Sequence, residues 1–317
     1  MRVALFGSPS FALPVLEALQ HQHDLLLVVS QPDKKAGRGM RVTPPATAQK
    51  AQSLGIPLAQ PAKLKGNQAF AEQLRALALD VAITAAYGKI LPAALLDVPR
   101  HGFLNIHASL LPQYRGAAPI QWALISGESE TGVSIMQTDI GMDTGAVRLQ
   151  RRIPITSDDD ALSLFDKLAL LGAQAMLEAL EQLETGKLAS YPQDSAAASY
   201  APLLSKDDGR IRWHDPAAAI LNRHRGVIAY PGSWTQWQGK RLKVNRMRLA
   251  DETPTISAQP GTLLSIADDA LLFATSSSGL WLEQLTPAGK APMDAAAWAR
   301  GYGLRPGDSL AEEVLRG

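Results

Sequence analysis

Short apolar runs and amphipathic stretches alternate through the first half of the chain. RVALF (2–6), LLLVVS (25–30), VAITAAY (81–87), FLNIHA (103–108) and VSIMQT (133–138) are β-branched or continuously apolar. Such runs predict buried strands of the kind found in parallel sheets covered on both faces. Between them, ALPVLEALQHQ (12–22) and GNQAFAEQLRALA (66–78) carry apolar residues at helical spacing. This βαβα rhythm predicts an open α/β sheet with helices on both faces. A longer amphipathic run over 161–186 follows Asp158, Asp159 and Asp160, which predict its N-cap, and ends at Gly186-Lys187.

The pattern changes past residue 187. Residues 188–208 lose periodicity and read as a linker between a first domain, 1–187, and a second, 209–317. In the second domain RIRWH (210–214), WTQWQ (234–238), RLKVNRMRL (241–249), GTLLSIA (261–267), ALLFAT (270–275) and LWLEQLT (280–286) are short strand candidates separated by turn signals. One helix-like run, PAAAILNRHR (216–225), precedes most of them. About five strands with one helix predict a small β-barrel of the OB type.

Composition narrows the class without changing this picture. Hydrophobic residues make up 46% and charged residues 19% of 317, an ordinary globular balance. The chain has no cysteine, which excludes disulfides, thiolate nucleophiles and Cys-ligated zinc and fits a reducing, cytoplasmic setting. The apolar run ahead of Gly7 is too short for a signal peptide, and no stretch approaches membrane-spanning length. A protein without a membrane partner, and a monomer, is the expectation.

Charge is unevenly spread behind a net +1. From Lys34 to Ala71 there are Lys34, Lys35, Arg38, Arg41, Lys50, Lys63 and Lys65 and no acid. From Arg210 to Arg248 nine basic residues face one acid, Asp215. Two basic zones on a nearly neutral chain predict a polyanion that spans both.

The chemistry is concentrated in NIHASLLPQYRGAAP (105–119). Asn105 and His107, two apart, share one face at the end of a predicted strand, where open α/β sheets bind ligands. The loop after them mixes leucines with Pro112, Arg115 and Gly116, as a surface for a flat ligand would. In DIGMDTGAV (139–147), Gly141 and Gly145 bracket Asp143 in a tight loop after the next strand. Asn, His and Asp together supply an oxyanion donor, a proton shuttle and a charge that orients the shuttle. No nucleophile pattern and no metal-ligand spacing accompany them. Direct transfer without an enzyme-bound intermediate is the expected chemistry. The first turn, FGSPSF (6–11), lacks the Gly-x-Gly-x-x-Gly spacing and reads as a plain strand-to-helix turn.

NIHASLLPQYRGAAPIQWAL, ETGVSIMQTDIGMDTG and AYGKILP resemble the folate-dependent formyltransferases, and the resemblance covers nearly the whole chain. It implies a Rossmann-like formyltransferase domain followed by the OB-type barrel. It implies a catalytic trio of Asn105, His107 and Asp143. It implies a folate pocket at Ser109, Leu110, Leu111, Pro112, Tyr87 and Gly88, with 10-formyl-tetrahydrofolate as donor and no metal. SQPDKKAGRGMRVTPPATAQ resembles the basic insertion loop, here about 33–49, of the members that formylate methionyl-tRNA. That implies initiator methionyl-tRNA as partner, met by Arg38, Lys34, Lys35 and Arg41 in the loop. Lys240, Arg241, Lys243, Arg246 and Arg248 would join them from the second domain. Sugar-nucleotide and glycinamide-ribonucleotide formyltransferases share the trio and are the nearest alternatives; a non-catalytic RNA-binding protein is a third.

Overall fold

The computed structural model describes residues 1–36, 41–250 and 258–311. These fall into two compact units. The first comprises 1–120, 129–155 and 163–202; the second comprises 121–128, 156–162 and 203–317. The stretch read as a linker divides between them, grouping with the first unit through Pro202 and with the second from Leu203.

The first unit is built on a seven-stranded sheet. Its strands are β1 (Arg2–Gly7), β2 (Asp24–Val29), β3 (Leu58–Ala59), β4 (Val81–Ala85), β5 (Phe103–His107), β6 (Glu130–Gln137) and β7 (Val147–Pro154). They lie in the order β7-β6-β5-β4-β1-β2-β3. Pairings among the first five strands are parallel. The chain winds outward from β1 to β3, then crosses to β4 on the other side, a Rossmann-like path with its switch point between β1 and β4. The five strands expected from the apolar runs are all present. VSIMQT, however, runs antiparallel to β5 rather than parallel, and VRLQRRIP adds an antiparallel edge strand that alternation did not announce. β6 starts at the end of the sheet where β5 finishes, so the 108–129 connection never crosses the sheet.

Helices α1 (Leu13–Gln22), α2 (Ala46–Ser53) and α3 (Gln68–Ala76) cover the sheet where spacing placed two of them. The short α4 (Pro119–Ile125) precedes β6, and the long α5 (Ala161–Glu184) follows β7. Asp160 accepts from the Leu162 N–H at 2.8 Å, so one of the three predicted acids caps α5. A Cβ at Gly172 of α5 would stand 2.6 Å from Ile106, so only a residue without one lets the helix seat this closely on β5.

The second unit holds the antiparallel strands β8 (Ser233–Trp237), β9 (Lys240–Leu249), β10 (Leu263–Ile266), β11 (Leu271–Ala274) and β12 (Gly279–Pro287). Their order is β8-β9-β12-β11-β10, and among the described residues no ladder joins β8 to β10, so no closed barrel is found. RIRWH forms a single bridge, Arg210 to Trp234, instead of a strand. Asp215 turns back onto the Arg212 carbonyl there, and Pro216 leads into helix α6 (Ala217–Val227), while Ile211 and Trp213 are buried. A second helix, α7 (Ala295–Tyr302), completes the core through Trp298 and stops at Gly303, whose φ of +69° is the left-handed C-cap. Its two turns carried too little periodicity to stand out.

Candidate active site

Strand β5 presents alternate residues to opposite faces, so Asn105 and His107 emerge together. Register sets their neighbours: Thr84 of β4 lies beside Asn105, and Ser134 of β6 beside His107. The Thr84 hydroxyl donates to Asn105 Oδ1 at 2.7 Å. Thr84 is buried, a lone hydroxyl in an otherwise apolar strand, and that was the one sequence signal for it.

His107 is 5% exposed, and its ring is held by two loops. Nε2 lies 2.9 Å from the Tyr114 carbonyl oxygen, which can only accept, so Nε2 carries the hydrogen. Nδ1 faces Asp143 Oδ2 at 3.7 Å. The expectation was that Asp143 orients the imidazole. The group in hydrogen-bond contact is instead a backbone carbonyl, which no residue identity announces. Nδ1 is then the nitrogen left for proton exchange, with a carboxylate beside it.

Asp143 sits where the glycine-bracketed loop was expected to carry it. Its Oδ2 accepts from the Gly116 N–H at 2.8 Å. A Cβ at Gly145 would fall 1.8 Å from the Gln137 carbonyl oxygen, so the loop closes this tightly only with glycine there. Asp143 has φ +54°, Tyr114 has φ +59° and Ala86, just past β4, has φ +49°. Left-handed backbone at non-glycine residues costs about 1 kcal/mol or more each, and persists where surrounding contacts over-determine it.

The Ser109–Pro112 loop is more self-contained than a ligand surface. Ser109 Oγ donates to the Gln113 carbonyl at 2.6 Å, and Ser134 Oγ donates to the Ser109 carbonyl at 2.7 Å. The Leu111 N–H donates to Ser134 Oγ at 3.0 Å, and the Leu111 side chain packs with Met136 and Val147. Leu110 and Pro112 stay half-buried, and Arg115 is buried rather than displayed. Tyr87 likewise points inward, edge-on to Phe6 at 5.5 Å. Among the described residues its hydroxyl has no hydrogen-bond partner, and burial pushes its pKa up to about 12. Gly88 beside it is exposed. An open cleft of about 700 Å³ lies elsewhere on this unit, lined by Ala93, Leu96, Asp97, His101, Gly102 and the turn Gln137–Ile140. None of the six predicted folate residues lines it.

Among the predicted basic contacts, Arg38 lies outside the described residues. Lys35 and Arg41 belong to the two-stranded ladder of Lys34–Ala36 with Arg41–Thr43. Exposed Lys34 donates to Gln31 Oε1 at 2.6 Å. On β9, Lys240 and Lys243 are exposed, and Arg241 lies 4.4 Å over the Trp234 ring. Arg246 and Arg248 both pair with Glu283 of β12, at 3.1 and 3.0 Å. Among the described residues no three His, Asp or Glu side chains gather as a metal site requires, and no helix is long and apolar enough to cross a membrane.

A Rossmann-like sheet that ends one strand in Asn105 and His107, with Asp143 facing the imidazole from a neighbouring loop, frames a candidate site for group transfer. Residues 1–180 match the formyl transferase family and 203–303 match its C-terminal domain, and the chain belongs to that family. Among its relatives, the methionyl-tRNA formyltransferase of Deinococcus radiodurans is 50% identical over 96% of this chain and 94% of that protein. The methionyl-tRNA formyltransferase of Thermus thermophilus is 47% identical over 98% of this chain and 100% of that one. An N-formyltransferase from Helicobacter canadensis, solved with folinic acid and dTDP-3-aminofucose, shares the fold with a TM-score of 0.68 at 16% identity, over 89% of this chain and 99% of its own.

Proposed function

We propose that this chain transfers the formyl group of 10-formyl-tetrahydrofolate to the α-amino group of methionine esterified to initiator tRNA. The reading rests on one arrangement above all: a buried imidazole with one nitrogen tied to the Tyr114 carbonyl and the other facing the Asp143 carboxylate, two residues after Asn105. The two methionyl-tRNA formyltransferases, matched over nearly their full length, support the acceptor.

The amine nitrogen attacks the formyl carbon and forms a tetrahedral intermediate. Asn105 donates to its oxyanion from the amide nitrogen, since Oδ1 is occupied by Thr84. The amine gives up its proton toward Asp143, directly or through water. Asp143 passes that proton to His107 Nδ1, 3.7 Å away, and Nδ1 delivers it to the folate N10 as the carbon–nitrogen bond breaks, so that tetrahydrofolate leaves. The folate is received by the Ser109–Pro112 loop, whose Leu110 and Pro112 stay half-buried, with Tyr87 and Gly88 beside it.

The tRNA is met by the basic insertion loop, with Arg38 at the acceptor end, and by Lys240, Lys243 and the stacked Arg241 on β9. An OB-type role for the second unit, gripping nucleic acid on its sheet face, accompanies this reading. The test supplies 10-formyl-tetrahydrofolate with charged initiator methionyl-tRNA, an amino-sugar nucleotide or glycinamide ribonucleotide in parallel. Release of tetrahydrofolate with methionyl-tRNA alone is expected. Release with a small acceptor and none with the tRNA overturns the assignment.

A further inference from the structure

We infer that Gln193 and Arg115 form a brace that sets the position of Asp143, so that Gln193, far from the trio in sequence, is a positioning residue for formyl transfer. The inference rests on the formyl-transfer reading of the site and adds a component to it.

One carboxamide makes four hydrogen bonds. Gln193 Nε2 donates to the carbonyl of Asp143 at 2.8 Å and to the carbonyl of Gly145 at 2.7 Å. Gln193 Oε1 accepts from Arg115 Nε at 3.0 Å and from Arg115 Nη2 at 2.8 Å. The orientation of the amide admits no alternative. A guanidinium only donates and a carbonyl only accepts, so the oxygen faces Arg115 and the nitrogen faces the loop. Arg115 is 2% exposed, so the brace is anchored in the interior.

Both ends of this brace adjoin the trio. Arg115 lies between Tyr114, whose carbonyl takes the His107 hydrogen, and Gly116, whose N–H binds the Asp143 carboxylate. At the other end, Gln193 holds Asp143 by its own carbonyl in the left-handed conformation, φ +54°. Of the residue's polar groups, Gly116 grips the side chain and Gln193 the main chain. With both in place, Oδ2 stands 3.7 Å from Nδ1. Without the carboxamide, the loop keeps the side-chain bond and loses the two that fix its backbone.

Chemistry distinguishes the substitutions. Gln193→Glu retains an acceptor for Arg115 but turns a carboxylate oxygen against two carbonyl oxygens. Gln193→Met keeps the length and removes all four bonds. Displacing a reacting group by about 1 Å costs on the order of 100-fold, so both variants are expected to lose roughly 10- to 100-fold in kcat. KM for methionyl-tRNA and affinity for a folate analogue should hold within about threefold, because the variants leave the surfaces that meet them untouched.

The deciding experiment is a double-mutant cycle on the full-length protein, read by single-turnover formylation, with melting temperature recorded for each variant. If Gln193 acts through Asp143, Gln193→Met adds nothing measurable on an Asp143→Asn background. Equal losses in both backgrounds, or wild-type kcat in both Gln193 variants, overturn the brace. So does a kcat loss that tracks a collapse in melting temperature in both variants. A wild-type protein that formylates no methionyl-tRNA sinks the acceptor assignment instead, and the two failures are thereby kept apart.

Discussion

The site at the end of β5 and the basic strand β9 hold their charged groups in opposite ways. His107 is nearly enclosed, and Asp143 is four-fifths buried, with a side-chain exposure of 20%. Backbone donors and acceptors fix both, along with the carboxamide of Gln193. On β9, Arg246 is 69% and Arg248 is 48% exposed at the side chain, and both share Glu283 as partner. Exposed ion pairs contribute little, typically below about 1 kcal/mol, and are screened by salt. One region is thus built for geometry and tolerates no displacement, while the other is built for charge and tolerates rearrangement.

The largest expected effects break the first region. His107→Ala and Asp143→Asn should each slow single-turnover formylation by about 100- to 10,000-fold, the range of general acid–base contributions. Asn105→Ala should cost about 100- to 1,000-fold, as removal of one oxyanion donor does. Affinity for a folate analogue should change little in all three. Near-normal turnover by the Asp143 variant would remove that carboxylate from the mechanism.

Next comes the loop that carries it. Gly145→Ala puts a methyl group where the Gln137 carbonyl oxygen stands, so the loop must move. A loss of roughly 100-fold in kcat is expected by displacement of Asp143. Full activity with an unshifted melting temperature would show that the loop closes without glycine.

A buried histidine in the second unit sharpens the contrast through stability. Burial pushes His224 down to about 4 from 6.5, against an opposing pull from Asp160, and its Nδ1 lies 2.9 Å from Ser233 Oγ. The folded value lies below the unfolded one, so its contribution is fully present above pH 6.5 and is lost as pH falls toward 4. The shift corresponds to about 3 kcal/mol at most. Denaturant melts of wild type and His224→Asn across that window should converge at low pH, with the wild type falling more steeply. Parallel curves would mean that His224 is protonated without penalty.

The smallest effects belong to β9. Lys240→Gln with Lys243→Gln should weaken tRNA binding and flatten its salt dependence by somewhat less than one logarithmic unit per lost phosphate contact. Arg246→Gln with Arg248→Gln should flatten it less, because Glu283 already neutralises part of their charge. The measurement is tRNA affinity over a salt series, and a larger change from the arginine pair would reverse the ranking.

Much of this protein was legible in its residues. Continuous apolar runs marked the buried strands, since a strand covered on both faces has no polar face to alternate. A spacing of two put Asn105 and His107 on one face, and paired glycines announced the tight loop at Asp143. Side-chain identity and local period carry that information. The direction of β6 was not legible, because periodicity is the same whichever way a strand runs. Nor were the Tyr114 carbonyl, the Gly116 N–H and the Gln193 carboxamide, which bind the trio together. Every residue has a carbonyl and nearly every one an N–H, so their role depends on where the chain brings them. Gln193 lies in a stretch without period, 50 residues from the aspartate whose backbone it holds. Sequence alone singled out Asn105, His107 and Asp143 as candidates for the chemistry; tertiary packing decided which atoms hold them still, because hydrogen bonds read distance and angle, and neither is written in local order.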